Sequence, residues 1–175
     1  ARRRAGRRGR SVTGNRRDKV DGAGWEYVHV AIDDASRIAF AQILPDERTS
    51  SALRFLHDAL AYFASLGISA QRIMTDNGSA YRSHAFASAL RSRRLRHIFT
   101  RPYTPRTNGK AERFIQTSLR EWAYATTYSN SVHRQNCLNP FLHRYNWHRP
   151  PSALNLSSPI AQLRLSLNNL LRLHT

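Results

Sequence analysis

The chain has 175 residues and carries 28 Lys and Arg against 11 Asp and Glu, a formal net charge of +17. A single cysteine, Cys137, excludes an internal disulfide and a multi-cysteine zinc site, and no apolar run approaches the roughly 20 residues of a membrane span. With 26 of the 28 bases being Arg, whose planar guanidinium grips phosphate through two parallel hydrogen bonds, the composition points to a binder of polyanions.

Residues 1–24 hold nine bases and two acids with almost no apolar side chain, which predicts a flexible basic segment. It lacks the apolar core of a signal peptide, so a soluble cytoplasmic protein is expected. The chain begins with Ala1 inside a charge run, as a fragment or truncated reading frame would. From Trp25 the texture changes. "WEYVHVAI" and "IAFAQIL" are β-rich and flank the turn "DDASR", a hairpin pattern. A helix follows Pro45-Asp46-Glu47, with Leu53, Leu56, Leu60 and Phe63 at helical spacing and Gly67 as its stop. "AQRIMT" (70–75) predicts a short strand, 83–94 a helix, 95–100 a strand and 101–109 a loop. A long helix is predicted from Lys110 to Tyr128, burying Ala111, Ile115, Ser118 and Trp122. Further helices are predicted over 139–150 and through the tail "IAQLRLSLNNLLRL". The order β-β-α-β-α-β-α-α describes a layered α/β domain at 25–128, with a helical extension at 129–175.

Asp76 stands at the end of the third predicted strand, in "TDNGSAY". Asp-Asn-Gly also suits a plain turn. After Asp76 no acid occurs until Glu112, at the start of the long helix between Lys110 and Arg113. An acid there also complements the helix dipole. Carboxylates meeting from a strand end and a helix start are, however, what a site moving phosphoryl groups with divalent metals needs.

The stretch "MTDNGSAYRS…FTRPYTPRTNGKAERFIQTSLREW" resembles the catalytic core of bacterial insertion-sequence transposases and retroviral integrases, the DDE polynucleotidyl transferases. The shared features are the Asp-Asn-Gly-Ser strand end, the Pro-Tyr-x-Pro-x-x-Asn-Gly loop, the 35-residue gap and the Lys-Ala-Glu-Arg helix start. "RYNWHRPPSALNLSSPIAQL" is similar to the tail of the insertion-sequence branch. The resemblance implies an RNase H-like mixed sheet with flanking helices, Mg²⁺ or Mn²⁺ as cofactor, and Asp76 and Glu112 as second and third metal ligands. It also implies phosphodiester hydrolysis and strand transfer on transposon-end and target DNA by a homo-oligomer, in a bacterial cytoplasm and associated with the nucleoid when DNA-bound.

The family's first acid lies on a central strand that precedes the hairpin. Nothing before Trp25 reads as a strand, so this strand and its Asp are expected to be absent and the chain inactive as given. Asp33 and Asp34 sit in the hairpin turn, where the family pattern has no ligand, and are weak substitutes for the first acid. Arg106, Lys110, Arg113, Thr117 and Arg120 are read as the DNA-facing set. Two alternatives share these features: a non-catalytic DNA-binding remnant and a metal-dependent nuclease. Trp122, Phe141, Tyr145 and Trp147 are expected in a helix–helix core.

Overall fold

The computed structural model describes residues 3–5, 26–100, 109–149 and 157–163. Strands β2 (Glu26–Ile32) and β3 (Ala39–Leu44) form the expected hairpin, antiparallel from Tyr27 opposite Leu44 to Ile32 opposite Ala39. Its turn is closed locally. Asp33 N–H donates to the Ile38 carbonyl at 2.9 Å, and the Asp33 carboxylate accepts from Ser36 N–H at 2.8 Å and Ser36 Oγ at 2.7 Å.

Strand β1 (Arg3–Ala5) lies along the other edge of β2, antiparallel, with Arg4 opposite Tyr27. This corrects the expectation that nothing before Trp25 forms a strand. Ladder pairing uses the main chain alone, so an Arg-rich sequence does not forbid it, and the free edge of β2 presents unpaired N–H and C=O groups that need a partner. The strand's sequence, Arg-Arg-Ala, includes no acid. The rest of the basic segment, residues 1–2 and 6–24, lies outside the described residues, as does Trp25.

Helix α1 (Thr49–Ser65) is introduced by Asp46, whose carboxylate accepts from Ser51 Oγ at 2.6 Å and Arg48 N–H at 3.0 Å. It ends as expected at Gly67, which takes the left-handed conformation (φ 76°) that glycine adopts without steric cost. Strands β4 (Arg72–Thr75) and β5 (Arg96–Phe99) pair in parallel around helix α2 (His84–Ser92), whose first turn is capped by Ser83 Oγ. The described strands form two sheets, β1-β2-β3 and β4-β5.

Helix α3 (Gly109–Ser118) runs into a wider π-helical turn, Leu119–Ala123, and stops at Tyr124, short of the expected Tyr128. Tyr128 instead folds back so that its hydroxyl donates to the Trp122 carbonyl, supplying an acceptor-to-donor closure where the helix ends. Within the extension predicted at 129–175, a helix forms ahead of the one predicted over 139–150: α4 (Ser131–Asn136), capped by Asn130, is followed by α5 (Leu138–His143) and a second π-helical turn, Arg144–His148. Pro159–Leu163 is a short 3₁₀ turn, and the remaining tail, residues 164–175, is outside the described residues.

Three apolar clusters hold these elements. On one face of the hairpin, Ala39 and Ala41 pack with Phe114, Trp122, Leu138, Phe141 and Tyr145. On the other, Ile38, Leu44, Phe55, Ala59, Phe63 and Ile160 form a second cluster, with Trp147 packed against it. The far side of α1 (Ala52, Leu56) meets Ala80, Phe86 and Leu90. Helix α1 is therefore shared between the hairpin sheet and the β4-β5 ribbon. The core roles expected of Trp122, Phe141, Tyr145 and Trp147 agree with this packing.

The extension is fastened to β3 by one side chain. Asn146, 1% exposed, accepts from Ala39 N–H through Oδ1 at 2.8 Å. Its Nδ2 donates to the Ala39 carbonyl at 2.8 Å and to Tyr62 Oη at 3.0 Å. Replacing it with Ala should leave both buried backbone groups of Ala39 unpaired, a loss of about 2–6 kcal/mol at ~1–3 kcal/mol per stranded group. Asn146→Asp, which can accept but not donate, should not restore stability. Urea denaturation of the three proteins checks this.

His29 is buried against Phe55, with ring centroids 5.4 Å apart, and its Nε2 lies 2.9 Å from the Asp46 carbonyl. A carbonyl only accepts, so Nε2 carries a proton and donates it to this bond. Burial holds its pKa below the ordinary 6.5, against the opposing pull of the Asp46 hydrogen bond. The unfolded chain then takes up the proton first, so stability is intact above about pH 6.5 and declines as pH falls below it. His97 shifts the same way, also through burial. Denaturation midpoints at pH 7.5 and 5.5 should differ less for His29→Leu than for the wild type.

Candidate functional site

Asp76 follows the last residue of β4 and is half-buried. Its carboxylate is oriented by its own turn, Oδ1 accepting from Gly78 N–H at 2.8 Å. The turn is sewn to the end of β5. Asn77 Nδ2 donates to the Thr100 carbonyl at 3.0 Å, and Thr100 N–H donates to the Thr75 carbonyl at 2.9 Å. Thr75 Oγ1 donates to the Asp76 carbonyl at 2.9 Å, with His97 Nε2 2.9 Å from the same hydroxyl. Tight-turn chemistry and a directed carboxylate thus coexist at this residue. The supporting roles of Asn77, Thr75 and His97 were not read from the sequence, because they depend on the parallel pairing that sets Thr75 beside Phe99.

Glu112 lies in the first turn of α3 and is exposed. The helix is anchored beneath it by Phe114 (0% exposed) and Ile115. Its buried face is wider than the predicted stripe, taking in Phe114 and Thr117 as well as Ile115 and Ser118. Thr117, at 6% exposure, is therefore removed from the DNA-facing set: it lies one turn from Phe114 and packs inward. Arg113 and Arg120 are exposed, although Arg120 Nη2 is 3.1 Å from Glu121 Oε1. Arg106 falls in 101–108, outside the described residues.

Lys110 is partnered. Its Nζ is 2.5 Å from Asp34 Oδ1 and 3.0 Å from the Asp34 carbonyl, joining the start of α3 to the hairpin turn. Asp34 also faces Arg37 at 3.8 Å, and Asp33 is occupied by Ser36. Both turn acids are accounted for by turn and helix contacts. The signal for this was present in the sequence, since Asp at the first position and Ser three residues on is a common turn pairing. Among the described residues no group of three or more His, Cys, Asp or Glu side chains is placed to hold a metal ion.

A second charged cluster flanks α3. Glu121 is met by Arg149 (2.5 Å), Arg120 (3.1 Å) and Arg144 (3.4 Å). Burial alone would raise its pKa, but hydrogen bonds from Arg149 and Arg120 and their positive charge outweigh it and hold the carboxyl below its ordinary value. The buried Arg134 faces Glu26, tying α4 to the start of β2.

Residues 13–105, more than half the chain, match the integrase core domain family, and 93–159 match a second integrase core domain family. The chain belongs to the integrase core domain family. It is 31% identical over 146 residues to the putative integrase ORF3 of Spiroplasma virus SpV1-C74, covering 76% of this chain and 40% of that protein. It is 32% identical over 89 residues to an uncharacterized insertion element IS136 protein of Agrobacterium fabrum, covering 49% and 44%. The chain spans less than half the length of these curated relatives. Among solved structures it is similar to the simian T-cell lymphotropic virus intasome in complex with the PP2A regulatory subunit B56 gamma (TM-score 0.69, 26% identity, 83% of this chain and 51% of that one). It also shares the fold of the BIV integrase catalytic core domain (TM-score 0.63, 17% identity, 86% and 91%). The HTLV-2 integrase catalytic core domain in complex with magnesium has the same fold (TM-score 0.61, 19% identity, 79% and 84%). The integrase core is thus RNase H-like here, with helices on a mixed set of strands.

The Lys110–Asp34 pair sets an expectation for this face. Asp34→Ala should release Lys110 and remove a negative charge, so affinity for duplex DNA should rise several-fold at low salt with little change in thermal stability, the pair being exposed. Fluorescence anisotropy with an end-labelled duplex measures it. Weaker binding would contradict this assignment.

Proposed function

We propose that this integrase core is the catalytic domain of an insertion-sequence DDE transposase that cuts a phosphodiester and joins the resulting 3′-hydroxyl to target DNA. The observation that carries the reading is the pair of carboxylates on matching elements: Asp76, oriented by Gly78 at the end of β4, and Glu112 in the first turn of α3. The family membership and the fold of retroviral integrase cores support it. The donors are hard carboxylate oxygens, which suit Mg²⁺ or Mn²⁺. When bound, such a cation would stabilise charge on the reacting phosphoryl group. Asp76 and Glu112 would hold it, and Arg113, Arg106, Arg120 and Lys110 would position the DNA backbone, Lys110 once released from Asp34.

Transposon-end and target DNA are the proposed partners, a homo-oligomer on DNA the proposed assembly, and the bacterial cytoplasm the proposed location. As a 175-residue chain the domain is proposed to be inactive in joining. Two carboxylates can orient one cation but do not fix two, and alignment is much of what such a site supplies. The absence of a three-acid cluster among the described residues also supports a second reading, a DNA-binding domain without chemistry.

A chain extended at its N-terminus so that a strand bearing an Asp takes the place of β1 beside β2 should join oligonucleotide ends in Mg²⁺ or Mn²⁺. In that extended chain Glu112→Gln should bind duplex within about twofold of the parent yet lose joining by a hundredfold or more. Joining retained by the variant would sink the role of Glu112. An extended parent that binds but never joins would favour the non-catalytic reading.

A further inference from the structure

The end of the β4-β5 ribbon remote from Asp76 gathers five arginines. Arg72 opens β4 and pairs in register with Arg96, which opens β5. Arg91, Arg93 and Arg94 lie in the last turn of α2 and the link into β5. All five are exposed. No acid occurs anywhere between Asp76 and Glu112. Among the described residues, Arg93 donates to the Ala89 carbonyl at 3.0 Å, while the other four guanidiniums have no ion pair or hydrogen bond.

Two features of this cluster run against stability. Like charges side by side on neighbouring strands repel, and Arg72 and Arg96 are such a pair. Arg94 takes the left-handed conformation (φ 55°), at the position after a helix where glycine or asparagine is favoured. The turn is a regular one, with Arg94 N–H donating to the Arg91 carbonyl at 2.9 Å and Leu95 N–H to the Leu90 carbonyl at 2.9 Å. An arginine kept where glycine would relieve strain indicates a use for its side chain. A basic residue near a helix C-terminus complements the dipole, which accounts for the charge of Arg91, in the last turn of α2, and of Arg93 and Arg94 just after it, but not for Arg72 and Arg96 on the strands. A polyanion laid over the cluster would convert the repulsion into attraction.

We infer that Arg72, Arg91, Arg94 and Arg96 form a docking surface for the phosphate backbone of duplex DNA, separate from the contacts that present the reacting phosphate. Asp76 lies four residue steps beyond Arg72 along β4, about 13 Å at ~3.3 Å per residue, and the strand direction sets the two at opposite ends of the ribbon. The surface has guanidiniums but no described aromatic platform, so it reads charge and spacing rather than bases. The inference rests on the proposed action on DNA and adds to it a second contact.

The test is the salt dependence of binding to a 30-bp duplex, measured by anisotropy from 50 to 200 mM salt. Each phosphate contact contributes about −0.9 to the slope of log affinity against log salt. The variant Arg72→Gln/Arg94→Gly/Arg96→Gln should flatten the slope by about 2–3, while Arg94→Gly alone should flatten it by about 1 and keep or raise the melting temperature. A folded triple variant with the parent slope would overturn the inference. Should the triple variant not fold, Arg94→Gly decides alone, an unchanged slope overturning it. Loss of affinity for anionic phospholipid vesicles with an unchanged duplex slope would also overturn it. A parent chain with no salt-dependent duplex binding would instead overturn the proposed action on DNA itself.

Discussion

The carboxamide of Asn146 is the constraint on which much of this domain depends. An edge strand presents unpaired main-chain groups, and β3 is such an edge, with β2 on its other side. Asn146 answers one residue of that edge, Ala39, as another strand would, with a donor and an acceptor from a single planar group. Because it sits in the π-helical turn after α5, this closure also fixes where the extension crosses the hairpin. Tyr145, its neighbour in the chain, then packs into the first apolar cluster, and Trp147 packs against the second. The buried amide thus selects one register for both, which apolar packing alone specifies less sharply.

The parts legible in the sequence were those governed by local rules. The hairpin follows from β-rich runs around Asp-Asp-Ala-Ser, α1 from its spacing and Gly67, and the strand that delivers Asp76 from the short run 70–75. The helix boundaries after Glu112 were not legible. Leu119–Ala123 and Arg144–His148 widen by one residue per turn, and a pattern counted at 3.6 residues per turn loses phase there. Thr117 was misplaced for a related reason: Phe114 broadens the buried face beyond a single stripe.

The candidate site divides in the same way. Asp76 and Glu112 were singled out because their types and positions match the family's motif, and both fall on the anticipated elements. Lys110 was taken for a DNA contact, but its partner lies 76 residues away in the hairpin turn, a distance at which composition is silent. Strand β1 was missed because Arg-Arg-Ala carries no apolar alternation; what recruits it is the open edge of β2, a property of the fold and not of its own residues.

The two candidate ligands ride on different bodies. Asp76 belongs to the β4-β5 ribbon, whereas Glu112 belongs to a helix packed against the hairpin sheet through Phe114. The described strands of the two bodies share no ladder, and α1 packs between them, one side on each. A ladder is rigid to sliding, since a shift breaks hydrogen bonds in whole steps. A side-chain interface yields in small increments instead, as packed helices do in shear. The spacing of the two carboxylates is then a mechanical variable, governed by how Phe55 and Ala59 on one flank of α1, and Ala52 and Leu56 on the other, seat the helix between its neighbours. Volume changes at these apolar positions would act as an adjusting screw on the site.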